Sequence, residues 1–146
     1  MLLLARMASA VLIETPPAKA AFDGNTIITI IIGKGFSQAA VMNRFNRSAI
    51  VKSATFQASD EEIRLAVSKI GDDEYLEANG VVLGGVRYEL NPPSGRMLHA
   101  VNGAAGVMIR GVRSKWIIAV YDGKKLTGDD ISNKMMSTIS QFYRPT

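Results

Sequence analysis

Few side chains in this sequence are equipped for bond-making chemistry. Its 146 residues include one histidine, His99, and no cysteine. Disulfides, thiolate metal sites and cysteine nucleophiles are thereby excluded, as is any multi-histidine metal centre. His99 falls in a predicted strand with no acid near it in sequence, which suits a surface or interface residue. A small hydrolase using His99 is one reading, but no G-x-S-x-G elbow supports a Ser-His-Asp arrangement. The neighbouring carboxylates Asp72-Asp73 and Asp129-Asp130 are poorly placed as acid–base pairs, because adjacent residues do not face one another on a helix. The glycine runs Gly80–Gly85 and Gly103–Gly106 lack the spacing, the following helix and the lysine of a phosphate loop. They read as turns. No metal or cofactor is implied.

The basic residues carry a more useful signal. Seventeen Lys and Arg against thirteen Asp and Glu give a net charge of +4. This mild bias favours an acidic protein face, anionic headgroups or nucleic acid as a partner. Arg110, Arg113, Lys115 and Trp116 gather around one predicted hairpin, with Lys124 and Lys125 just beyond. No RNA- or DNA-binding signature accompanies them, so nucleic acid is not expected.

These residues need a scaffold. A chain of this length, 47% hydrophobic, suits one domain that buries about two thirds of its unfolded surface. Ser59–Ile70 is the clearest helix. Ser59 and Glu62 have capping-box spacing, Asp60–Glu62 favour the positive end of the dipole, and Gly71 suits a C-terminal cap. Ile63, Ala66, Val67 and Ile70 form its apolar stripe. Ser37–Arg44 and Ser48–Ser53 read as a hairpin turning at Phe45-Asn46-Arg47. From Gly80 onward, Val81–Leu83, Val86–Leu90, Arg96–Val101, Val107–Val112 and Lys115–Tyr121 alternate with short breaks, which implies an antiparallel meander. A last helix follows, capped by Thr127 or Asp129, with Ile131, Met135, Ile139 and Phe142 on one face. Ile27–Ile32 is either a β-branched strand or a buried helix capped by Asn25 and ended by Gly33 and Gly35. The period of so short a run does not decide.

Met1–Ala10 is too interrupted for a signal peptide or a membrane span. Glu14–Ala21, with Pro16 and Pro17, reads as a linker. The expected organisation is a flexible extension over 1–21 and a single domain over 22–146. The fold class is α+β.

Asn79–Tyr88 (NGVVLGGVRY), Gly106–Asp122 (GVMIRGVRSKWIIAVYD) and the helix from Asp129 together resemble profilins, in order and spacing, over about residues 22–143. The resemblance implies a central antiparallel sheet. The N- and C-terminal helices would share one face and a smaller helix would take the other, making Ile27–Ile32 helical. It implies a non-enzymatic, monomeric, cytoplasmic regulator of the actin cytoskeleton that covers one end of the actin monomer. Positions resembling the actin-binding face are Arg87, Leu90, Arg96, His99, Arg110, Arg113, Lys124, Lys125, Leu126, Asn133 and Lys134. Positions resembling the polyproline groove are Phe22, Thr26, Gln141, Phe142 and Tyr143. The family's aromatic pair on the first helix is not kept, so weak or altered binding of proline-rich peptides is expected. Phosphoinositide headgroups would meet Lys124, Lys125, Arg110, Arg113 and Lys115. Absent cysteines and sparse aromatics mark a divergent member, such as an archaeal one. The competing reading from a different class is a roadblock-like dimerisation module serving a small GTPase.

Overall fold

Gly24–Gly33 forms the first helix, α1. Its cap is Asp23 rather than Asn25: the Asp23 carboxylate accepts the Thr26 N–H at 2.9 Å. Helix wins over strand at Ile27–Ile32 because Ile27 and Ile31, one turn apart, are both fully buried. Such a pair contributes about 1.5–3 kcal/mol per side chain, more than the slight β preference of isoleucine costs. The computed structural model describes residues 23–94, 97–127 and 129–143. The expected boundary near Ala21 and the extension over 1–21 lie outside them.

A hairpin follows, β1 (Gln38–Asn43) and β2 (Ile50–Lys52). Next comes α2 (Asp60–Ser68), where the capping box is complete. The Ser59 hydroxyl accepts the Glu62 N–H and the Glu62 carboxylate accepts the Ser59 N–H, both at 3.1 Å. The cap at its other end is Lys69, two residues before the Gly71 expected there. A short helix that the sequence pattern did not suggest, α3 (Asp73–Asn79), comes next. Asp72 caps it, and Asp73 accepts hydrogen bonds from the backbone and hydroxyl of the fully buried Ser94. These adjacent acids thus have structural partners.

The meander is β3 (Val81–Leu83), β4 (Val86–Leu90), β5 (Met97–Asn102), β6 (Ala105–Val112) and β7 (Lys115–Tyr121). The turn between β3 and β4 is Gly84-Gly85, both at positive φ, as a two-residue hairpin loop requires. Seven strands form one antiparallel sheet in the order β2-β1-β7-β6-β5-β4-β3. The last helix, α4, spans Asp129–Tyr143.

Two cores sandwich the sheet. On one face α1 and α4 cover Val41, Met108, Ile117 and Ala119. On the other α2 and α3 cover Met42, Leu98, Ile109 and Ile118. This is the expected α+β layering, with two small helices where one was foreseen. Central β7 is buried on both faces and so reads as a continuous apolar run. By contrast, β4 alternates, with Tyr88 buried between exposed Arg87 and Glu89. Only one side of β4 is covered.

Glu62 also accepts the Gly84 N–H at 2.9 Å, which ties α2 to the β3–β4 turn. Ser59→Ala should cost about 1 kcal/mol in urea unfolding. Glu62→Ala should cost more, about 2 kcal/mol, because two donors lose their acceptor. Equal costs would break the link between cap and turn.

Candidate partner-binding site

Among the described residues, no element covers the face that carries α1 and α4 over β5, β4 and β3. Side chains pointing there are Met97, His99 and Val101 from β5, Arg87 and Glu89 from β4, Val82 from β3 and Arg110 from β6. Strand register fixes their rows: Met97 stands beside Arg110, His99 beside Met108, Val101 beside Gly106 and Glu89. Met97, His99 and Val101 are half-buried, while Arg87, Glu89 and Val82 are exposed.

Gly106 and Tyr121 build the inner border of this face. Gly106 pairs with Tyr121 across β6 and β7. A Cβ on Gly106 would sit 2.3 Å from the Tyr121 hydroxyl and 2.7 Å from the Ala100 carbonyl oxygen. With no side chain in the way, the Tyr121 ring lies over β6. Its hydroxyl meets His99 Nε2 at 2.7 Å, and Phe36 packs edge-on at 6.4 Å between centroids. Burial holds the imidazole of His99 below its usual pKa and raises that of the Tyr121 phenol. His99 is therefore neutral at neutral pH and makes a neutral hydrogen bond.

Arg110 marks the border with α4: its Nη1 lies 3.4 Å from Met136 Sδ. Arg87 is paired with Glu89 at 2.8 Å, so its charge is largely offset. Asn133, one turn before Met136, shares that flank of α4. Lys134 does not, since two residues from Met136 is a rotation of about 200°. Arg113 lies at the β6–β7 turn with φ 55°. Lys124 and Lys125 are exposed beyond the far end of β7, whose seven residues set about 20 Å of strand between them and that turn. Leu126 is 3% exposed and packs beside Gly35 in the core, so it supports this surface from within. Leu90 is half-buried on the opposite face, toward α2 and α3. Arg96 lies outside the described residues. The structure thus places Arg110 and Arg87 at opposite ends of the row formed by Met97, His99 and Val101, about 20 Å apart along the strands, and leaves the other cations outside that row. The sequence reading did not single out Met97, Val101, Val82 or Met136. His99, the one polar residue in the apolar run 97–101, was the signal for an open face; Leu98 and Ala100 are buried on the other side.

At the groove between α1 and α4, Thr26 is committed to the cap: its hydroxyl donates to Asp23 at 3.1 Å. Gln141 is half-buried in the last turn of α4. Phe22 and the side chains of Phe142 and Tyr143 lie outside the described residues. Trp116 packs on the α2 side of the sheet under the Arg44 guanidinium, 4.9 Å from its ring centre.

Two outcomes follow from this geometry. Gly106→Ala should destabilise by about 2–3 kcal/mol in denaturant unfolding, through overpacking against Tyr121 and the β5 backbone; a neutral effect would mean Tyr121 is free to move. Because the fold favours neutral His99, the unfolded chain takes up this proton first. The stabilisation is complete above about pH 6.5 and is lost as pH falls through the lowered folded-state value. His99→Gln should flatten that part of the stability–pH curve, and a parallel curve would refute the assignment.

A family model described as Profilin matches residues 25–142. The fold is similar to profilin IA of Acanthamoeba castellanii, at 20% identity and TM-score 0.70 over 82% of this chain and 94% of that one. It is also similar to Schizosaccharomyces pombe profilin, at 18% and 0.68 over 80% and 93%. For rat profilin 2a the values are 13% and 0.59 over 82% and 92%. Comparison with curated sequences finds no match. The family match covers most of the sequence, and the sheet with its two helical layers coincides with those solved folds, so the chain belongs to the profilin family.

Proposed function

We propose that this protein binds monomeric actin through the open sheet face bordered by Tyr121 and α4, and so regulates filament assembly in the cytoplasm. Profilins generally bind actin monomers. The observation that carries the assignment of the face is the part of the sheet that no described element covers, where half-buried Met97, His99 and Val101 lie between Arg87 and Arg110. Apolar anchors ringed by polar and cationic groups suit a protein surface of opposite charge. The mechanism is steric. A monomer capped on one end is withheld from nucleation and from one direction of addition, and no covalent step is involved. Lys124 and Lys125 at one end of this face suit anionic headgroups, a weaker role that phosphoinositide binding would fill. Proline-rich peptides would bind weakly, since Thr26 offers no ring for stacking.

Assembly of a native actin partner, followed by fluorescence with excess protein, tests the reading. The expected result is delayed nucleation, and unchanged growth would remove it. Arg110→Glu should weaken monomer binding by about tenfold or more, which is about 1.4 kcal/mol. Lys134→Glu, on the other flank of α4, should change it less than about twofold. The reverse order would move the contact toward α1.

A further inference from the structure

The loop between β1 and β2 holds Phe45 in water at 85% exposure. This exposure is built in. The side-chain carbonyl of Asn43 accepts the N–H groups of Phe45 at 2.8 Å and Asn46 at 2.9 Å. That of Asn46 accepts the Ser48 N–H at 3.1 Å. The backbone closes the loop from Asn43 to Ala49 and joins Arg44 to Ser114. Arg44 is fixed over Trp116, and its guanidinium also donates to the Arg113 carbonyl. The outcome is a rigid aromatic knob between Arg44 and Arg47. Aromatic and arginine side chains are the commonest interface anchors, and a preorganised one loses little entropy on binding.

The molecule also carries a recess of matching character. Between α2 and α3, closed by edge strand β3, lies a cavity of about 190 Å³ lined by Leu65, Ala66, Leu76, Val81, Val82 and Glu62 among others. Leu65 is 50% exposed at its rim. The space suits one large side chain rather than a small-molecule ligand, whose pockets run to about 300–1,000 Å³. Its surroundings are acidic. Residues 60–79 hold seven carboxylates against two cations, a net of −5, which leaves +9 on the rest of the chain. Of the two cations, Lys69 is engaged over the Tyr75 ring at 4.3 Å, and Arg64 pairs with Glu61. Knob and recess flank one helix. Arg64 of α2 donates to the Arg47 carbonyl beside Phe45, while Leu65 and Ala66 turn toward the recess.

We propose that the protein pairs with a second copy of itself, Phe45 of each entering the α2–α3 recess of the other while Arg44 and Arg47 meet the acidic segment 60–79. Because both features border α2, a two-fold pair makes both contacts at once and assembly closes at two. The contact is small, so pairing is weak and concentration-dependent, unlike the monomer expected from the resemblance. It leaves the open sheet face free. A lipid surface is the other occupant for a basic aromatic tip. One phenylalanine between asparagines and arginines offers a bilayer little apolar area, and a bilayer leaves the recess unfilled.

Sedimentation of the full chain from micromolar to millimolar concentration tests the pairing. A monomer–dimer equilibrium that weakens with added salt is expected. Phe45→Ser and Leu65→Lys should each raise the dissociation constant about tenfold or more. An equimolar mixture of the two variants should pair better than either alone, because one supplies the knob and the other the recess. Unchanged Trp116 fluorescence and thermal unfolding would show both variants folded. A chain monomeric at millimolar concentration, or a dimer indifferent to both substitutions, overturns the proposal. So does a monomer that pellets with phosphatidylserine-containing vesicles and loses this with Phe45→Ser, which would assign the tip to lipid.

Discussion

Two helices cannot cover one face of a seven-stranded sheet. Seven strands at about 4.8 Å spacing span about 29 Å, whereas two packed helices cover about 20 Å. The remaining width is that of two strands, β4 and β3, with β5 half-covered at the border. Since β7 sits between β1 and β6 and the terminal helices centre on it, the shortfall falls on the β5–β4–β3 side. The recognition surface is thus a consequence of layer arithmetic before it is one of particular residues. The smaller helices on the reverse face keep those strands in place from behind, so that the front can stay bare without loss of the sheet.

The boundary between dry core and wet face needs its own device, and the Gly106–Tyr121–His99 arrangement supplies it. A tyrosine ring laid across a glycine seals the edge of the core beneath α1, while its hydroxyl reaches the first polar group of the open face. The hydrogen bond satisfies both partners at the depth where an unpaired polar atom would cost about 1–3 kcal/mol. It also fixes the imidazole ring, so the surface offered to a partner is preorganised. The sequence run from Gly106 to Tyr121 thereby encodes the border of the site as well as two strands.

Much of this was legible in the residues, and the failures have physical causes. The Ser59–Glu62 box and the meander could be read because capping and turn chemistry act locally. Ile27–Ile32 was undecided because a fully apolar run of six has no period; only the cap at Asp23 and burial of both Ile27 and Ile31 decide it. Helix α3 escaped because its seven residues bury a single side chain, Leu76. At the site, residue type identified the cations but not which of them share a face. Arg87, His99 and Arg110 share one face because the meander registers them on the same side of the sheet, with Arg87 and Arg110 at its two ends. Leu126 is drawn into the core because the chain beyond β7 must fold back beneath α1. Met97 and Val101 were not singled out, since one-sided burial of a strand is a property of the layer above it.

Charge counting shows the same limit more sharply. The net +4 suggests a weakly cationic protein, yet it is the sum of an acidic segment over 60–79 and a strongly basic remainder. On the open face itself the positive charge is smaller than the sequence implies. Arg87 is offset by Glu89, and His99 is kept neutral by burial. Arg110 is left as the principal cation, at the border with α4 among thioether and aliphatic groups. Affinity at such a surface must come chiefly from shape and apolar contact, with Arg110 setting orientation. The longer-range field arises instead at the ends of the sheet, where Lys124 and Lys125 stand at one end and Arg44 and Arg47 at the other. Attraction and recognition are therefore carried by different residues. A substitution at the ends should alter how fast a partner arrives, and one at the centre how long it stays.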